Sequence, residues 1–344
     1  MAKRVRVSDD AGANWYTLPG NTAELSSEAG EIDDTIFGQN FGSTQSGLIG
    51  TTINANALYK GFAGYQAKIL KSGTTTGMTT EAMSLVSGKT YQVTAPTKRL
   101  FDRNVAYTVF DNAVNQNANV ESIDWLFGRV TFKSAYTPTG PITITASYLP
   151  TAVVGCINEF TLTQTANAVD NTCMDTAQAN DGHRTFEYGL KTVSLEANGI
   201  YKAANGFLAL LQDREELIIE INPDGQGLTV ARGFFKAVNT GQSGDVGDLE
   251  EESITFNLSV PDQENVIMPF SWLIATASTL STAIRKCIAA WENAEEIMVA
   301  YLPDGTNGIE ADAIITDLTL SGGLEAMNEF TANFQITGET AAHP

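Results

Sequence analysis

Apolar and polar residues alternate with a period of two over much of the chain. Ile254, Phe256, Leu258 and Val260 alternate with Ser253, Thr255, Asn257 and Ser259. Phe330, Ala332, Phe334 and Ile336 alternate with Thr331, Asn333, Gln335 and Thr337, and Ile142, Ile144, Ala146 and Tyr148 form a third run. Alternation rich in β-branched and aromatic residues predicts half-buried strands of antiparallel sheets. Turn residues punctuate them at Asn222-Pro223-Asp224-Gly225, Pro303-Asp304-Gly305, 241–247 and Ser321-Gly322-Gly323. Two helices are also predicted. One carries Leu280, Ile284, Cys287, Ile288 and Trp291 at helical spacing, with Ser278 or Thr279 as its N-cap. The other covers about 205–213, with Phe207, Leu208, Leu210 and Leu211 on its apolar side.

The pattern repeats. Ala55-Asn56-Ala57-Leu58-Tyr59-Lys60-Gly61 aligns with Ala197-Asn198-Gly199-Ile200-Tyr201-Lys202-Ala203, and Ile32-Asp33-Asp34-Thr35 with Val169-Asp170-Asn171-Thr172. Glu215-Glu216-Leu217 through Gly225 matches Glu295-Glu296-Ile297 through Gly305, and the strands 254–260 and 330–336 close each copy. Four matches in consistent order indicate an internal duplication. One copy, 151–263, is contiguous. The other is split, its first half in 1–70 and its second in 264–344. Residues 71–150 have no counterpart in either copy. They read as an inserted β-module containing Val130-Thr131-Phe132 and 142–148, preceded by a linker-like Thr74-Thr75-Thr76-Gly77.

Charge changes this picture in one respect. The 344 residues carry a net charge of −20, yet only 17% are charged, against a usual figure of about 25%. The insert is net positive, while every other segment is net negative, most strongly 151–263 and 264–344. So acidic a chain argues against wrapping nucleic acid, which needs Lys and Arg to displace counterions. No apolar segment follows MAKRVRVSDD, so no secretory signal is expected. The longest uncharged run, 265–284, contains Pro269 and several Ser/Thr, and no membrane anchor is expected.

Catalytic chemistry is poorly provided for. There is no nucleophile elbow, phosphate-binding loop, dinucleotide fingerprint or metal-histidine pair, so no enzyme, metal or cofactor is expected. His183 and His343 read as surface residues, Cys156, Cys173 and Cys287 as buried free thiols, and Asp245, Asp248 and 250–252 as a solvated acidic turn. Tyr91, Tyr107, Phe110, Trp125 and Tyr136 of the insert allow a rival reading, a carbohydrate-binding or adhesive β-sandwich surface protein with these rings as sugar platforms.

The polar sides of the repeated strands are unusual. They present Thr52, Asn54 and Asn56; Thr192, Ser194, Glu196 and Asn198; Glu251, Ser253, Thr255 and Asn257; and Glu329, Thr331, Asn333 and Gln335. None is Lys or Arg. A surface past which a polyanion slides without sticking has this character.

At these residues the chain resembles the major tail tube proteins of siphophages, phages with long non-contractile tails. Glu24-Leu25 through Asp33-Asp34-Thr35, then Gly47-Leu48 leading into 52–60, looks like the family's first half. So does Asp170-Asn171-Thr172 with Gly189-Leu190-Lys191-Thr192-Val193-Ser194, while 230–256 looks like its second half. The resemblance implies a mainly β fold, with two tail-tube-like β-sandwich or barrel domains, each flanked by a helix. It implies a structural virion protein made in the host cytoplasm, polymerising with itself as stacked rings into a conduit for genomic DNA ejection. Rings commonly hold six tube domains, so a duplicated chain implies a pseudo-hexameric trimer. The implied partners are a tape measure protein, tail terminator and tip proteins, and genomic DNA in transit. The polar strand faces above would line the lumen. Ring stacking in the family uses the long first-half loop and the terminal arms. By position these are 33–50, 170–188 and 1–10, with Lys3, Arg4, Arg6, Asp33, Asp34, Phe37, Phe41, Asp170, Asp175, His183 and Arg184 as candidates.

Overall fold

The computed structural model describes residues 3–34, 44–59, 67–72, 74–154, 157–200, 207–243, 251–260, 269–323 and 327–343. Phe37, Phe41, Cys156, Asp245, Asp248 and Glu250 lie outside them. The fold is mainly β. The amino-terminal strands are β1 (Arg4–Ser8), β2 (Tyr16–Thr17), β3 (Gly20–Asp33), β4 (Thr44–Leu58) and β5 (Ala67–Ser72). The insert supplies β6 (Thr76–Ser87), β7 (Thr90–Val93), β8 (Thr108–Asp111), β9 (Val114–Asn115), β10 (Val120–Asp124), β11 (Arg129–Phe132) and β12 (Ile142–Tyr148). Next come β13 (Thr151–Val154), β14 (Ile157–Asp170), α1 (Met174–Ala179), β15 (Phe186–Ile200), α2 (Phe207–Asp213), β16 (Leu217–Ile221), β17 (Thr229–Ser243), β18 (Glu251–Leu258) and β19 (Phe270–Ile274). The chain ends with α3 (Thr282–Asn293), β20 (Ile297–Leu302), β21 (Gly308–Gly323), β22 (Glu329–Ile336) and β23 (Ala341–His343).

Two sets of strands repeat one pairing scheme. In the first, β3 pairs β4, β4 pairs β22, β22 pairs β21, and β21 pairs β20 and β23. In the second, β14 pairs β15, β15 pairs β18, β18 pairs β17, and β17 pairs β16 and β19. The correspondence extends to irregularities. Adding 137 to the bounds of β3 gives β14, and adding 142 to those of β4 gives β15. The register shifts at Gly20/Thr22 and Ala29/Glu31 recur at Ile157/Glu159 and Ala166/Ala168. The shift at Ala237/Asn239 of β17 recurs at Ile315/Asp317 of β21. Each bulge inserts one unpaired residue and strengthens local twist, so matching bulges impose matching curvature.

The split of the chain differs in detail from the sequence expectation. β5 pairs β16, β13 pairs β5, and β19 pairs β17, so strands from the 1–70 and 264–344 segments complete the second set. β1 takes the place of β5 in the first set, running antiparallel along β20. Residues 4–8 are therefore not a loose basic arm: Val5 and Val7 are buried while Arg4 and Lys3 face solvent. Ser321, Gly322 and Gly323 end a strand instead of making a turn, and Thr75 of the expected linker is pinned by its hydroxyl to Asp102 (2.5 Å).

The core forms where the alternating residues meet. Across the β22–β4 ladder Phe330 sits opposite Ala57, Ala332 opposite Ala55 and Phe334 opposite Ile53. The helices pack on the same side: Cys287, Ile288 and Trp291 of α3, and Phe207 and Leu210 of α2, join one continuous core. The cap of α3 is Ser281, whose hydroxyl accepts from the Ile284 N–H (3.3 Å); Ser278 instead bonds Asp224 (2.9 Å). Two other expectations change. Cys173 is exposed at the start of α1, and His343 is buried, its Nδ1 2.5 Å from Glu310 Oε2 and its ring edge-on to Trp15.

The insert's seven strands enclose a second core that includes Phe101, Trp125, Phe127, Val130 and Phe132. This core is shared: Leu70, Ile218, Val230 and Phe234, on the back of the second set, belong to it. Arg232 crosses the junction, bonding Glu220 (2.7 Å) and the Leu126 carbonyl (2.9 Å) with its guanidinium over the Phe127 ring. Arg103 does the same with Glu216 and the Phe234 ring. The insert is thus docked on the second set and continuous with it.

Candidate functional site

Eight strands run side by side in the order β3, β4, β22, β21, β14, β15, β18, β17. The join between the sets is β14 on β21, with Glu159 opposite Gly323 through Thr165 opposite Asp317. Their alternation stays in phase across that join, so polar side chains gather on one side and apolar ones on the other, with Leu58 and Ile314 as exceptions on the polar register. A single row reads Thr22, Asn56, Thr331, Thr319, Thr163, Ser194, Asn257, Lys236, each residue directly opposite the next. The next row holds Glu24, Asn54, Asn333, Asp317, Thr165 and Thr192. A one-residue slip of these strands would send core residues such as Ile53, Leu162, Leu195, Phe256 and Phe330 to this side, so the register is strongly determined.

The polar side is a hydrogen-bonded surface. The Thr165 and Thr192 hydroxyls are 2.6 Å apart, Asn198 donates to Glu159 (3.2 Å), and Thr319 donates to Asp317 (3.1 Å). Glu24, Glu159, Glu196, Glu251, Asp317 and Glu329 give it negative charge. Burial raises the Asp317 carboxyl above its ordinary range, with the Thr319 bond opposing.

Every residue expected on a lumenal face lies on this side. Asn54, Asn56, Thr192, Glu196, Asn198, Glu251, Ser253, Asn257 and Glu329 are exposed, and Thr52, Ser194, Thr255, Thr331, Asn333 and Gln335 half-exposed. The sequence reading missed the contributions of β3, β14, β17 and β21. The signal was present as Thr22-Glu24-Ser26 and Glu159-Thr161-Thr163-Thr165, alternating with weaker apolar partners. It also missed Lys236, opposite Asn257, which puts one base on a side expected to have none.

The expected stacking residues do not form one cluster. Asp33 ends β3, and Asp34 accepts from Gln45 (2.7 Å). Asp170, Asp175, His183 and Arg184 lie in or beside the β14–β15 connection, where Arg184 pairs with Asp170 (3.2 Å). That connection crosses onto the first set. The Ile49 N–H donates to the Gly182 carbonyl, Arg184 N–H to that of Ile49, and Gly338 N–H to that of Arg184, each at 2.9 Å. His183 and Arg184 therefore also hold the two sets together, beside a cleft lined by Ser26, Glu28, Thr52, Phe186 and Gln335.

No family model matches the chain, and no curated protein does. Among solved structures it is similar in part to the tail of an empty gene transfer agent particle with C6 symmetry. The identity is 15%, over 33% of this chain and 84% of that one, with a TM-score of 0.28. A second similarity is to the virion of a native gene transfer agent particle, at 14% identity over 36% and 88%, with a TM-score of 0.29.

The aromatic residues of the insert are packed against one another. Trp125 is buried and meets Phe101 and Tyr107 edge-on, Tyr91 meets Phe132, and Tyr136 lies against Phe132 with its hydroxyl on Asp111 (2.6 Å). Phe110 is half-buried.

Proposed function

We propose that this chain is the structural subunit of a phage-type tail tube. Its two strand sets act as two tube domains, and chains associate as three-chain, pseudo-six-fold rings stacked into a virion conduit for DNA. The observation that carries this reading is the eight-strand polar face, in phase across both sets and lined by hydroxyls, amides and carboxylates. Curled toward an axis, such a face makes a wall from which phosphates are repelled, because it offers carboxylates and a single lysine among its described residues. The resemblance in the sequence adds the partners: a tape measure protein inside during assembly, and terminator and tip proteins at the ends. Cryo-electron microscopy of concentrated protein tests the reading. Hollow stacked rings with three-fold symmetry in cross-section are expected; discrete monomers at every concentration would overturn it.

A further inference from the structure

The join inside the chain also specifies the join between chains. β14 meets the carboxy-terminal half of β21 along the edge that β20 leaves free, since β20 reaches only Ala313. The same half of β17, from Lys236 to Ser243, has no partner on the corresponding edge among the described strands, because β16 stops at Phe235. Among the described strands β3, the counterpart of β14, is paired only with β4. The molecule thus ends on one side in a strand of the β14 type and on the other in a half-strand of the β21 type.

Exposure marks both as unfinished. Within the chain Leu162, Leu318 and Leu320 are fully buried at the join. Their counterparts Leu25 and Thr240 are half-exposed, Gln242 is exposed, and Val238, the bulge residue, is 48% exposed. Proteins guard free edges with short strands, lysine or proline. β3 has 14 residues and none of Lys, Arg or Pro, and neither has the stretch 237–243.

Resting on the tube reading, we infer that β3 of one chain adds antiparallel to residues 239–243 of β17 in a second copy, in the register already built between β14 and β21. Subtracting 137 and 78 from the two sides of that join places Glu24 opposite Ser243, Ser26 opposite Gly241 and Glu28 opposite Asn239. The contact is head-to-tail and repeats the join between the two sets. A head-to-tail contact closes into a ring when its rotation divides a full turn and otherwise runs on as a filament, and closure at three chains is the outcome the tube reading requires. The bulges of β3 and β17 match those of β14 and β21, which supplies the same curvature at both joins.

Cysteine pairs test this directly, in a chain with Cys156 and Cys173 replaced by serine and buried Cys287 kept. Glu24→Cys with Ser243→Cys, and Glu28→Cys with Asn239→Cys, are oxidised in assembled material and run on non-reducing gels. Glu24→Cys with Asn239→Cys, four positions out of register, is the control, since opposed strands bring its Cα atoms well beyond the ~7 Å disulfide limit. The expected result is reducible two- and three-chain species from both matched pairs, none from the control, and no longer species. Rings by microscopy without crosslinks from matched pairs, or with equal crosslinking of the control, overturn this edge and register while leaving the tube reading standing. Species longer than three chains overturn closure at three. Absence of rings overturns both readings.

Discussion

The two strand sets share their pairing and bulges but differ on their backs, and four positions account for the difference. Leu70, Ile218, Val230 and Phe234 of the second set correspond to Ser8, Met298, Gly308 and Asp312 of the first. The first four join the insert's core, whereas Asp312 is exposed. One scaffold thus carries a docked module on alternate copies, and the choice is written in whether these backs are apolar. The proposed three-chain ring would have pseudo-six-fold symmetry on its polar side and only three-fold symmetry on the side that carries the module.

The sharpest way to break this contrast is to empty the shared core. Phe234→Ala is expected to lose about 3–5 kcal/mol in denaturant unfolding, the usual cost of deleting a buried phenyl ring. Asp312→Ala at the matching position should stay within about 0.5 kcal/mol. Equal losses would show that the two backs are not distinguished as described.

A second difference lies at Glu292 of α3, which is half-buried where its α2 counterpart Gln212 is exposed. It accepts from the Trp272 N–H (2.7 Å) and lies within reach of the Ser271 hydroxyl, which also approaches Asp124 of the insert (3.3 Å). Burial pushes its pKa up to about 7, and the Asp124 charge adds to this, while the Trp272 and Ser271 bonds and Lys191 oppose it. Burial also raises Asp124, with Arg129 opposing. The folded chain therefore keeps the Glu292 proton between about pH 4.5 and 7, where the unfolded chain has released it. The stabilisation is complete below about 4.5 and is lost as pH rises through 7, on the order of 3 kcal/mol. Melting temperatures from pH 4.5 to 8 should fall less steeply in Glu292→Gln than in the parent; parallel profiles would remove Glu292 as the cause.

Smaller effects sharpen the contrast. Arg232→Met leaves the Glu220 carboxylate largely buried beside the insert and should cost about 2 kcal/mol, with partial recovery in the double variant Arg232→Met/Glu220→Met. On the shared polar side, Thr255→Lys with Asn257→Lys should leave the melting temperature within a degree or two. Added lysines there should slow DNA release from assembled particles, most at low salt. Unchanged release kinetics would argue against a lumenal position for β18.

Much of the polar side was legible in the sequence because a strand buried on one side must alternate, as Phe330 to Ile336 does. The duplication was legible because Ala55–Tyr59 and Ala197–Tyr201 keep small residues at matching core positions, where Phe330 lies across from Ala57 and Phe160 and Ile254 across from Ala197. The strands that complete each set were not. RVRVS reads as a basic arm because its arginines mask Val5 and Val7, and only the pairing with β20 reveals it as a strand. The docking of the insert had a signal that went unread: Leu217-Ile218-Ile219 is apolar at three successive positions and 217–221 is buried throughout, the mark of a strand covered on both faces. Ser281 was missed as a cap because Leu280, before it, still follows helical spacing.

The join of β14 on β21 has a consequence for how quickly a ring can close. Two separate molecules that associate lose translational and rotational freedom worth about 4–15 kcal/mol at each encounter. Here every second contact is made within one polypeptide during folding, so the tether meets that loss in advance. In the proposed three-chain ring, half of the joins are already in place when the chains first collide, and assembly needs two encounters where six separate domains would need five, the last join in each case closing within one assembly.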